Sequence, residues 1–245
     1  LRAVKIRLYP NKEQSTMINK LFGCYRVVYN QCLNRKIESY KNDGKSENLS
    51  TLGQFVHHEL LKNDNFIWLR EQNTKVLKQA VKDMLTAYKN FFEQHTGYPK
   101  FRSKKNRYQS YRTSYTNNNI RFENKKIKLP KLGFVKTRDK QTPKGRILNA
   151  TISQEPNGHY YCSLCCTDIE FEQLPKTNKN VGIDLGLVDF AILSDGIKIE
   201  NPQFYEQSEQ KLAKLQRELS RKTIGSARWK KARLKVAKLQ KHIAN

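Results

Sequence analysis

Two hydrophobic periods run along the chain, and one replaces the other near residue 113. The opening AVKIRLYP alternates apolar and polar positions up to Pro10, which is typical of a half-buried strand. From there to residue 97, apolar positions recur every three to four residues, which is the helical period. Asn11 and Gln14 have the spacing of a capping box at the start of this region. We expect three helices, over about 11–43, 50–61 and 73–97.

From about residue 113 to residue 172 the period becomes two, which predicts strands. Turn residues at Glu123-Asn124 and at 156–158 (Pro-Asn-Gly) separate them. The isolated first strand can add to these later strands. The economical topology is therefore an α+β protein in which a helical unit is inserted between the first strand and the rest of a small antiparallel β-barrel.

The segment QLPKTNKN, at 173–180, has the composition of a linker. After it, VGIDLGLVDFAILSDG predicts two strands, the second of which turns back through Asp195-Gly196. Two helices with heptad-like apolar stripes follow, and KTIGS joins them into a predicted helical hairpin. The second stripe is still running at Ile243, which we interpret as a sign of truncation.

The charge composition of the chain predicts the class of its binding partner. The chain of 245 residues has 47 Lys and Arg against 22 Asp and Glu, a net charge of +25. Folding does not require such an excess, and its natural partner is a polyanion. Nucleic acid is favoured over an anionic membrane, because no apolar run is long enough for a membrane anchor. Five cysteines without disulfide-scaffold spacing suit a reducing cytoplasm, and no signal peptide is visible.

Two basic segments are candidate nucleic-acid surfaces. The first, YPKFRSKKNRYQSYR at 98–112, interleaves aromatic residues with cations and contains no acid. Its alternative interpretation is a solvated linker that its aromatic residues anchor. The second is the helical hairpin at 203–245, with twelve Lys or Arg against three Glu. The candidate binding residues are Lys100, Arg102, Lys104, Lys105, Arg107 and Arg112, then Arg221, Lys222, Arg228, Lys230, Lys231 and Arg233.

Asp184 stands inside an apolar run, where a buried carboxylate is unfavourable. On a strand, Gly182, Asp184 and Gly186 would share one face, with open space in which a carboxylate could hold a divalent cation near a phosphate. Such a strand followed by a hairpin is also how an RNase H-like fold begins. Actin-like ATPases open with Asp-x-Gly as well, but Leu187 stands where they usually carry Thr or Ser. The third interpretation is an Asp bonded to its own turn.

Cys162 and Cys165 form a CxxC pair, the spacing of two zinc ligands. A structural zinc site needs four ligands, and no second CxxC or His pair follows at finger spacing. We therefore interpret HYYCSLCCTDIEF as a strand.

Several long motifs are spread over nearly the whole chain: RLYPNKEQ, YRVVYNQCL, AYKNFF, GYPKFRSKK, TNNNIRF, KLPKLGFVK, GIDLGLVDFAILSDG and LSRKTIGSARWKKARLKVAKLQKHIAN. In these motifs the chain resembles the TnpB (OrfB) proteins of bacterial insertion sequences, relatives of type V CRISPR effectors. The resemblance implies a wedge-like barrel from 1–10 and 113–177, a helical recognition lobe from 11–112, and the first part of a RuvC nuclease domain from 178–245.

Members of this family, long described as transposases, bind a guide RNA from the mobile element and cut double-stranded DNA beside a short target-adjacent motif. The resemblance therefore implies transposition and DNA recombination in a bacterial or archaeal cytoplasm, at the nucleoid. By motif position, Asp184 matches the first RuvC catalytic acid, a Mg²⁺ ligand. The positions that match the motif-reading residues are Leu52, Thr74, Lys78, Thr116 and Asn117.

The sequence departs from the family pattern after the hairpin. The second RuvC motif with its Glu, the four-cysteine zinc ribbon and the third motif with its Asp do not occur in it. Two-metal cleavage needs several carboxylates around cations roughly 3.5–4 Å apart. We therefore expect this chain alone to bind nucleic acid without cutting it. Two alternatives stay open: a non-cutting DNA- or RNA-binding repressor or remnant, and a generic basic RNA-binding protein.

Overall fold

The computed structural model describes residues 1–71, 74–138, 144–169, 175, 177 and 180–244. The chain divides into two compact units, Leu1–Ile169 and Glu170–Asn245. Most of the predicted linker at 173–180 lies outside the described residues. Both units combine strands with helices, so the α+β class predicted from the sequence is confirmed.

The first unit has its helices between the first strand and the other strands. A π-helical turn (Phe55–Glu59) and two 3₁₀ segments (Leu60–Lys62 and Asp64–Glu71) follow its second helix. In chain order the unit comprises β1 (Arg2–Tyr9), α1 (Lys12–Asp43), α2 (Leu49–Gln54), α3 (Thr74–Gln94), β2 (Gln109–Ser114), β3 (Arg121–Glu123), β4 (Lys126–Leu129), β5 (Gly133–Thr137), β6 (Arg146–Gln154) and β7 (Tyr160–Thr167).

The seven strands form one antiparallel sheet in the order β2-β6-β7-β1-β5-β4-β3. β1 lies inside this sheet between β7 and β5, as the inserted-helix topology predicts. The predicted barrel does not close in the described part of the chain, because β2 and β3 are the two outer strands and do not pair with each other. β3 has only three residues, so its one pairing is with the neighbouring β4.

The long helix α1 begins and ends as its sequence predicts. Asn11 Oδ1 accepts from the Gln14 amide at 2.8 Å, and the Asn11 amide donates to Gln14 Oε1 at 3.1 Å, which completes the capping box. At the other end Gly44 adopts φ 64°, a left-handed conformation that favours glycine, and its amide donates to the Tyr40 carbonyl at 3.1 Å.

A single hydrophobic core joins the helices of the first unit to its sheet. Among the helices, one face of α1 contributes the most residues to this core. Helix α3 contributes the next largest set. Removal of this apolar surface from water is the main stabilising contribution to the unit. Fully buried members include Ile6, Ile18, Leu21, Leu33, Leu77, Met84, Ile127 and Ile152.

Two elements of the first unit differ from the sequence prediction. The helix expected at 50–61 is α-helical only to Gln54 and then widens into the π-helical turn, where the Leu60 amide donates to the Phe55 carbonyl. The widened turn lets Leu52, Val56 and Leu60 all be buried. Strand β2 also begins at Gln109, inside the segment interpreted as a basic surface.

The second unit consists of a small sheet and a helical hairpin. The sheet has the order β10-β9-β8, and Gly196, with φ 85°, lies in the predicted turn between β9 and β10. The two helices pack on each other, as the apolar stripes predict. Its elements are β8 (Ile183–Asp184), β9 (Asp189–Leu193), β10 (Lys198–Glu200), α4 (Phe204–Ser220) and α5 (Ala227–Ile243).

Across the described ranges, every helix is too short or too polar to pass through a bilayer.

Asp83 ties three elements of the first unit together. Its carboxylate accepts from the Tyr25 hydroxyl on α1 and from Gln79 Nε2 at 2.8 Å on α3. Arg112 Nη1 of β2 lies 3.4 Å from Asp83 Oδ1. Burial, and then the Asp83 charge, raise the pKa of Tyr25 above its usual range. Tyr25 therefore stays protonated and remains a hydrogen-bond donor to Asp83.

We expect Asp83→Ala to lower the free energy of unfolding by about 2 kcal/mol, because it leaves the buried Tyr25 hydroxyl without its acceptor. Urea denaturation followed by circular dichroism would measure this. The neighbouring exposed Lys82→Ala is the matched control and should change the free energy by less than about 0.5 kcal/mol. An equal effect of the two substitutions would contradict the assigned role of Asp83.

Candidate nucleic-acid interface

The segment at 98–112 is fixed to α1 near its middle. Asn30 makes two hydrogen bonds with the backbone of Arg102. Asn30 Nδ2 donates to the Arg102 carbonyl at 2.9 Å, and the Arg102 amide donates to Asn30 Oδ1 at 2.8 Å. The Arg102 guanidinium lies 4.2 Å from the ring centroid of Tyr29 and 5.1 Å from that of Tyr25. Arg102 therefore makes cation–π contacts within the protein.

A turn after Arg102 presents two lysines at the surface. The Asn106 amide donates to the Ser103 carbonyl at 3.2 Å, and the Lys105 amide donates to Ser103 Oγ at 3.1 Å. Gln109 Nε2 also reaches the Ser103 carbonyl at 3.0 Å. These bonds close the turn on itself and leave Lys104 and Lys105 exposed at its tip. The turn is a preformed basic projection rather than an unstructured linker.

The six cations predicted in this segment therefore have two environments. Arg102 packs on tyrosine rings, and Arg112 forms an ion pair with Asp83. The remaining four cations of the segment are exposed: Lys100, Lys104, Lys105 and Arg107. Sequence reasoning could not separate the two groups, because a cation next to an aromatic residue is equally suited to either role.

The helical hairpin of the second unit is more uniform. Its basic residues at the loop and on the outer turns are exposed: Arg221, Lys222, Arg228, Lys230 and Lys231. Arg233 differs, because it is half-buried and its guanidinium lies 5.1 Å from the Trp229 ring centroid. The Ser226 hydroxyl accepts from the Trp229 amide at 3.1 Å and so caps α5 beside this basic stretch.

The positions that match the family's motif-reading residues do not all reach the surface. Leu52 is fully buried in the core, so its side chain cannot touch DNA in this conformation. Thr74 and Lys78 line a cavity of about 580 Å³ between the α2 region and α3. Thr116 and Asn117 lie in the turn after β2, where the Thr116 amide donates to Asn119 Oδ1 at 2.7 Å. Their role in motif reading stays a prediction.

Asp184 lies on β8 opposite Ile192 and is exposed, although its sequence neighbours are apolar. Those neighbours are exposed as well, Ile183 by 60% and Leu185 by 70%. In the part of this unit that the structure describes, no layer covers these residues. Ala191 is the buried member of the small sheet.

The two glycines beside Asp184 serve the backbone of its own unit. The Gly182 amide donates to Ser194 Oγ at 3.0 Å, and the Gly182 carbonyl accepts from the Ser194 amide at 2.9 Å. A Cβ atom at Gly186 would lie 3.0 Å from the Asp189 carbonyl oxygen, which is too close without a shift. Gly186 therefore permits a close approach of the backbone at Asp189, whereas a Cβ atom at Gly182 would make an ordinary contact with Ser194 at 3.5 Å.

The geometry separates two of the interpretations of Asp184. Asp195, not Asp184, bonds its own turn, since its Oδ1 accepts from the Ile197 amide at 3.2 Å. Mg²⁺ is commonly held by one or two carboxylates together with water and substrate phosphate. An exposed carboxylate fits one such ligand. Within the described residues no three His, Cys, Asp or Glu side chains are grouped to hold an ion, so Asp184 fits one ligand rather than a complete site.

The CxxC pair has the strand geometry expected of it. Cys162 and Cys165 both lie on β7, and because they are three positions apart their side chains point to opposite faces of the sheet. Cys162 is fully buried, and burial raises the pKa of its thiol to about 12, so it stays neutral. Cys162 is therefore a core residue, while Cys165 is half-buried on the other face, so the two thiols do not face a common ion.

Two family models match the chain, both of the IS605 OrfB type. Residues 1–45 match the model described as "Helix-turn-helix domain", and residues 154–245 match the one described as "Probable transposase". The first of these regions is folded here as β1 followed by the single helix α1.

Two curated relatives align with the whole chain. A protein of Streptomyces pristinaespiralis named "Putative RNA-guided DNA endonuclease" is 34% identical over 248 residues. A protein of Escherichia coli (strain K12) named "Putative RNA-guided DNA endonuclease InsQ" is 32% identical over 246 residues. The alignment covers 100% of this chain and 60% of the length of each relative.

A solved structure titled "Cryo-EM structure of CRISPR-Cas12f Ternary Complex" also aligns with the chain. It is 11% identical with a TM-score of 0.46, over 96% of this chain and 57% of the other.

We expect the double substitution Lys104→Ala and Lys105→Ala to weaken binding to a DNA duplex of arbitrary sequence. It should reduce the slope of log affinity against log salt by about two, because each lysine neutralises about one phosphate. Fluorescence anisotropy over a series of KCl concentrations would measure both effects. The matched control is Lys12→Ala with Lys20→Ala, two exposed lysines on α1 with the same loss of charge. Equal slopes for the two double variants would refute a specific role for the turn.

Proposed function

Because the chain belongs to the TnpB (OrfB) family of insertion sequences, we propose that it is the nucleic-acid-binding part of an RNA-guided DNA endonuclease. The observation that carries this proposal is the alignment of the whole chain with two relatives that bear that name. The net charge of +25 and the exposed lysines of both units support guide RNA and double-stranded target DNA as the partners.

Each part of the chain then has a role. Residues 1–10 and 113–177 form the wedge-like part, and 11–112 form the recognition lobe. Strand β2 spans the boundary between them and pairs with β6. Lys104, Lys105 and the α4–α5 hairpin hold the phosphate backbones of the guide and of the heteroduplex. Thr74 and Lys78, at their cavity, and the turn at Thr116 read the target-adjacent motif.

Asp184 is the carboxylate that takes part in the chemistry under this proposal. Its exposure on β8 leaves it accessible to a cation that also contacts a DNA phosphate. When bound, Mg²⁺ would supply activation of water for attack on that phosphate. The further carboxylates that such a reaction needs would come from outside the residues described here. Residues 178–245 would thus be the first part of a RuvC nuclease domain.

The test is a matched pair of isosteric substitutions, Asp184→Asn and Asp195→Asn, in the protein expressed from its native gene. With guide RNA, Mg²⁺ and a plasmid that carries the matching target, we expect Asp184→Asn to abolish cleavage and to leave guide binding unchanged. Asp195→Asn should cleave normally, because its turn acceptor is retained and it takes no part in the chemistry. Normal cleavage by the Asp184 variant would refute the catalytic assignment.

A second candidate is a non-cutting binder, a repressor or remnant of the same element. The net charge of +25 and the exposed cations of both units support it, because they suit the binding of nucleic acid with or without cleavage. Guided binding of the matched plasmid without cleavage by the unsubstituted protein would support this candidate. Binding that ignores the guide would instead indicate a generic basic RNA-binding protein.

A further inference from the structure

A second cavity lies between the last turns of α1 and α3. It has a volume of about 560 Å³ and is lined mainly by apolar and aromatic side chains. It is separate from the cavity that contains Thr74 and Lys78. The residues used below are Lys36, Tyr40, Lys41, Tyr88, Phe92 and Tyr98.

Aromatic rings at this cavity are exposed to an unusual degree for apolar groups. Phe92 is 69% exposed, Tyr40 67% and Tyr98 47%. Large apolar side chains that cluster at a surface mark an interaction site more often than isolated ones do. We call this surface the α1–α3 aromatic pocket.

The rings of the pocket are held in place by one another. Tyr88 stacks on Phe92 with centroids 6.5 Å apart and an interplanar angle of 23°. Tyr98 meets Tyr88 edge-on at 5.5 Å, and their hydroxyl oxygens are 2.7 Å apart. The backbone of Tyr40 is fixed as well, because its carbonyl accepts from the Gly44 amide. The pocket is therefore preorganised, which lowers the entropic cost of binding a flat ligand.

The charged groups at the pocket are both basic and favour a ligand with a negative charge at its edge. Lys36 and Lys41 line it and no acidic residue does. The Lys36 ammonium is held by Ser46 Oγ at 3.0 Å and by the Glu47 carbonyl at 2.6 Å, and it lies 5.2 Å from the Tyr88 ring centroid. Lys41 is exposed at the rim. The apolar lining and the negative ends of two helix dipoles disfavour a phosphate inside, while the rim favours one outside.

We propose that the α1–α3 aromatic pocket binds an unpaired nucleobase of a single strand, with the adjoining phosphate at Lys41. A nucleobase is flat, uncharged and apolar on its faces, and the negative charge of the nucleotide lies on the phosphate outside the base, which matches the pocket and its rim. The proposal rests on nucleic acid being the partner, as in the proposed function, and adds a contact that reads the presence of a base rather than the backbone.

The test compares single strands with and without bases. Fluorescence anisotropy would measure the affinity for an oligoadenylate of about twelve nucleotides and for an abasic strand of the same length. We expect Phe92→Ala to weaken oligoadenylate binding by about tenfold, the usual range for loss of one stacked base, and to leave abasic binding unchanged. Phe134→Ala, an exposed phenylalanine of the sheet, is the matched control and should change neither affinity.

A conservative variant adds a direct readout. Phe92→Trp should retain oligoadenylate binding, and its additional fluorescence should be quenched by oligoadenylate but not by the abasic strand. Parallel measurements with RNA and DNA oligonucleotides identify the source of the base. If Phe92→Ala weakens the binding of both, the pocket accepts a base from either nucleic acid. If it weakens the binding of only one, the pocket is assigned to that nucleic acid.

Three results would overturn the proposal. The first is an equal loss of affinity for base-containing and abasic strands, and the second is no loss for either. The third is a change of sedimentation from dimer to monomer in Phe92→Ala, which would make the pocket an interface between copies of the chain. These outcomes do not depend on guided cleavage, so failure of the pocket and failure of the proposed nuclease function are distinguishable.

Discussion

Burial of one face of α1 is the interaction on which the first unit depends. This helix contributes to the core that it shares with α3, and its Asn30 fixes the basic segment at 98–112. Its last turns form one wall of the aromatic pocket. Because a single rigid element carries all these contacts, the candidate binding surfaces of this unit keep a fixed spacing along one axis.

Three acids of the first unit pair with partners inside it, while its other described acids are exposed. Asp83 joins α1, α3 and β2, and Glu155 pairs with Lys5 of β1 at 2.6 Å. A hydrogen bond from Thr51, and then contacts with Arg35, lower the pKa of Glu47, which keeps it charged as the chain enters α2. Because Lys and Arg outnumber Asp and Glu by 47 to 22 in the whole chain, the exposed acids do not balance the exposed cations. The surface therefore keeps the excess positive charge that favours a polyanionic partner.

Much of this fold can be read from the sequence, since it depends on local rules. The capping box at Asn11, the helical stripes and the hairpin turns are short-range signals, and the unpaired first strand leaves few topologies to choose from. The π-helical turn after Gln54 could not be predicted, because it depends on which residues the core buries. The start of strand β2 at Gln109 could not be predicted, because its mostly polar residues give a weak alternation and only Tyr111 and Thr113 are buried. The exposure of Asp184 depends on whether another layer packs on β8. This could not be predicted from the local sequence pattern.

The position of β1 has a consequence for the order in which the chain can fold. This strand precedes the other described strands along the chain, yet it lies between β5 and β7, and Lys5 is 150 residues away from its partner Glu155. During synthesis on the ribosome, α1 to α3 emerge before either neighbour of β1 does. The sheet can therefore close around β1 only after most of this unit has been made, and such distant pairing is intrinsically slow. Until then Ile6 and Leu8 of β1, which are buried in the folded unit, have no neighbouring strand.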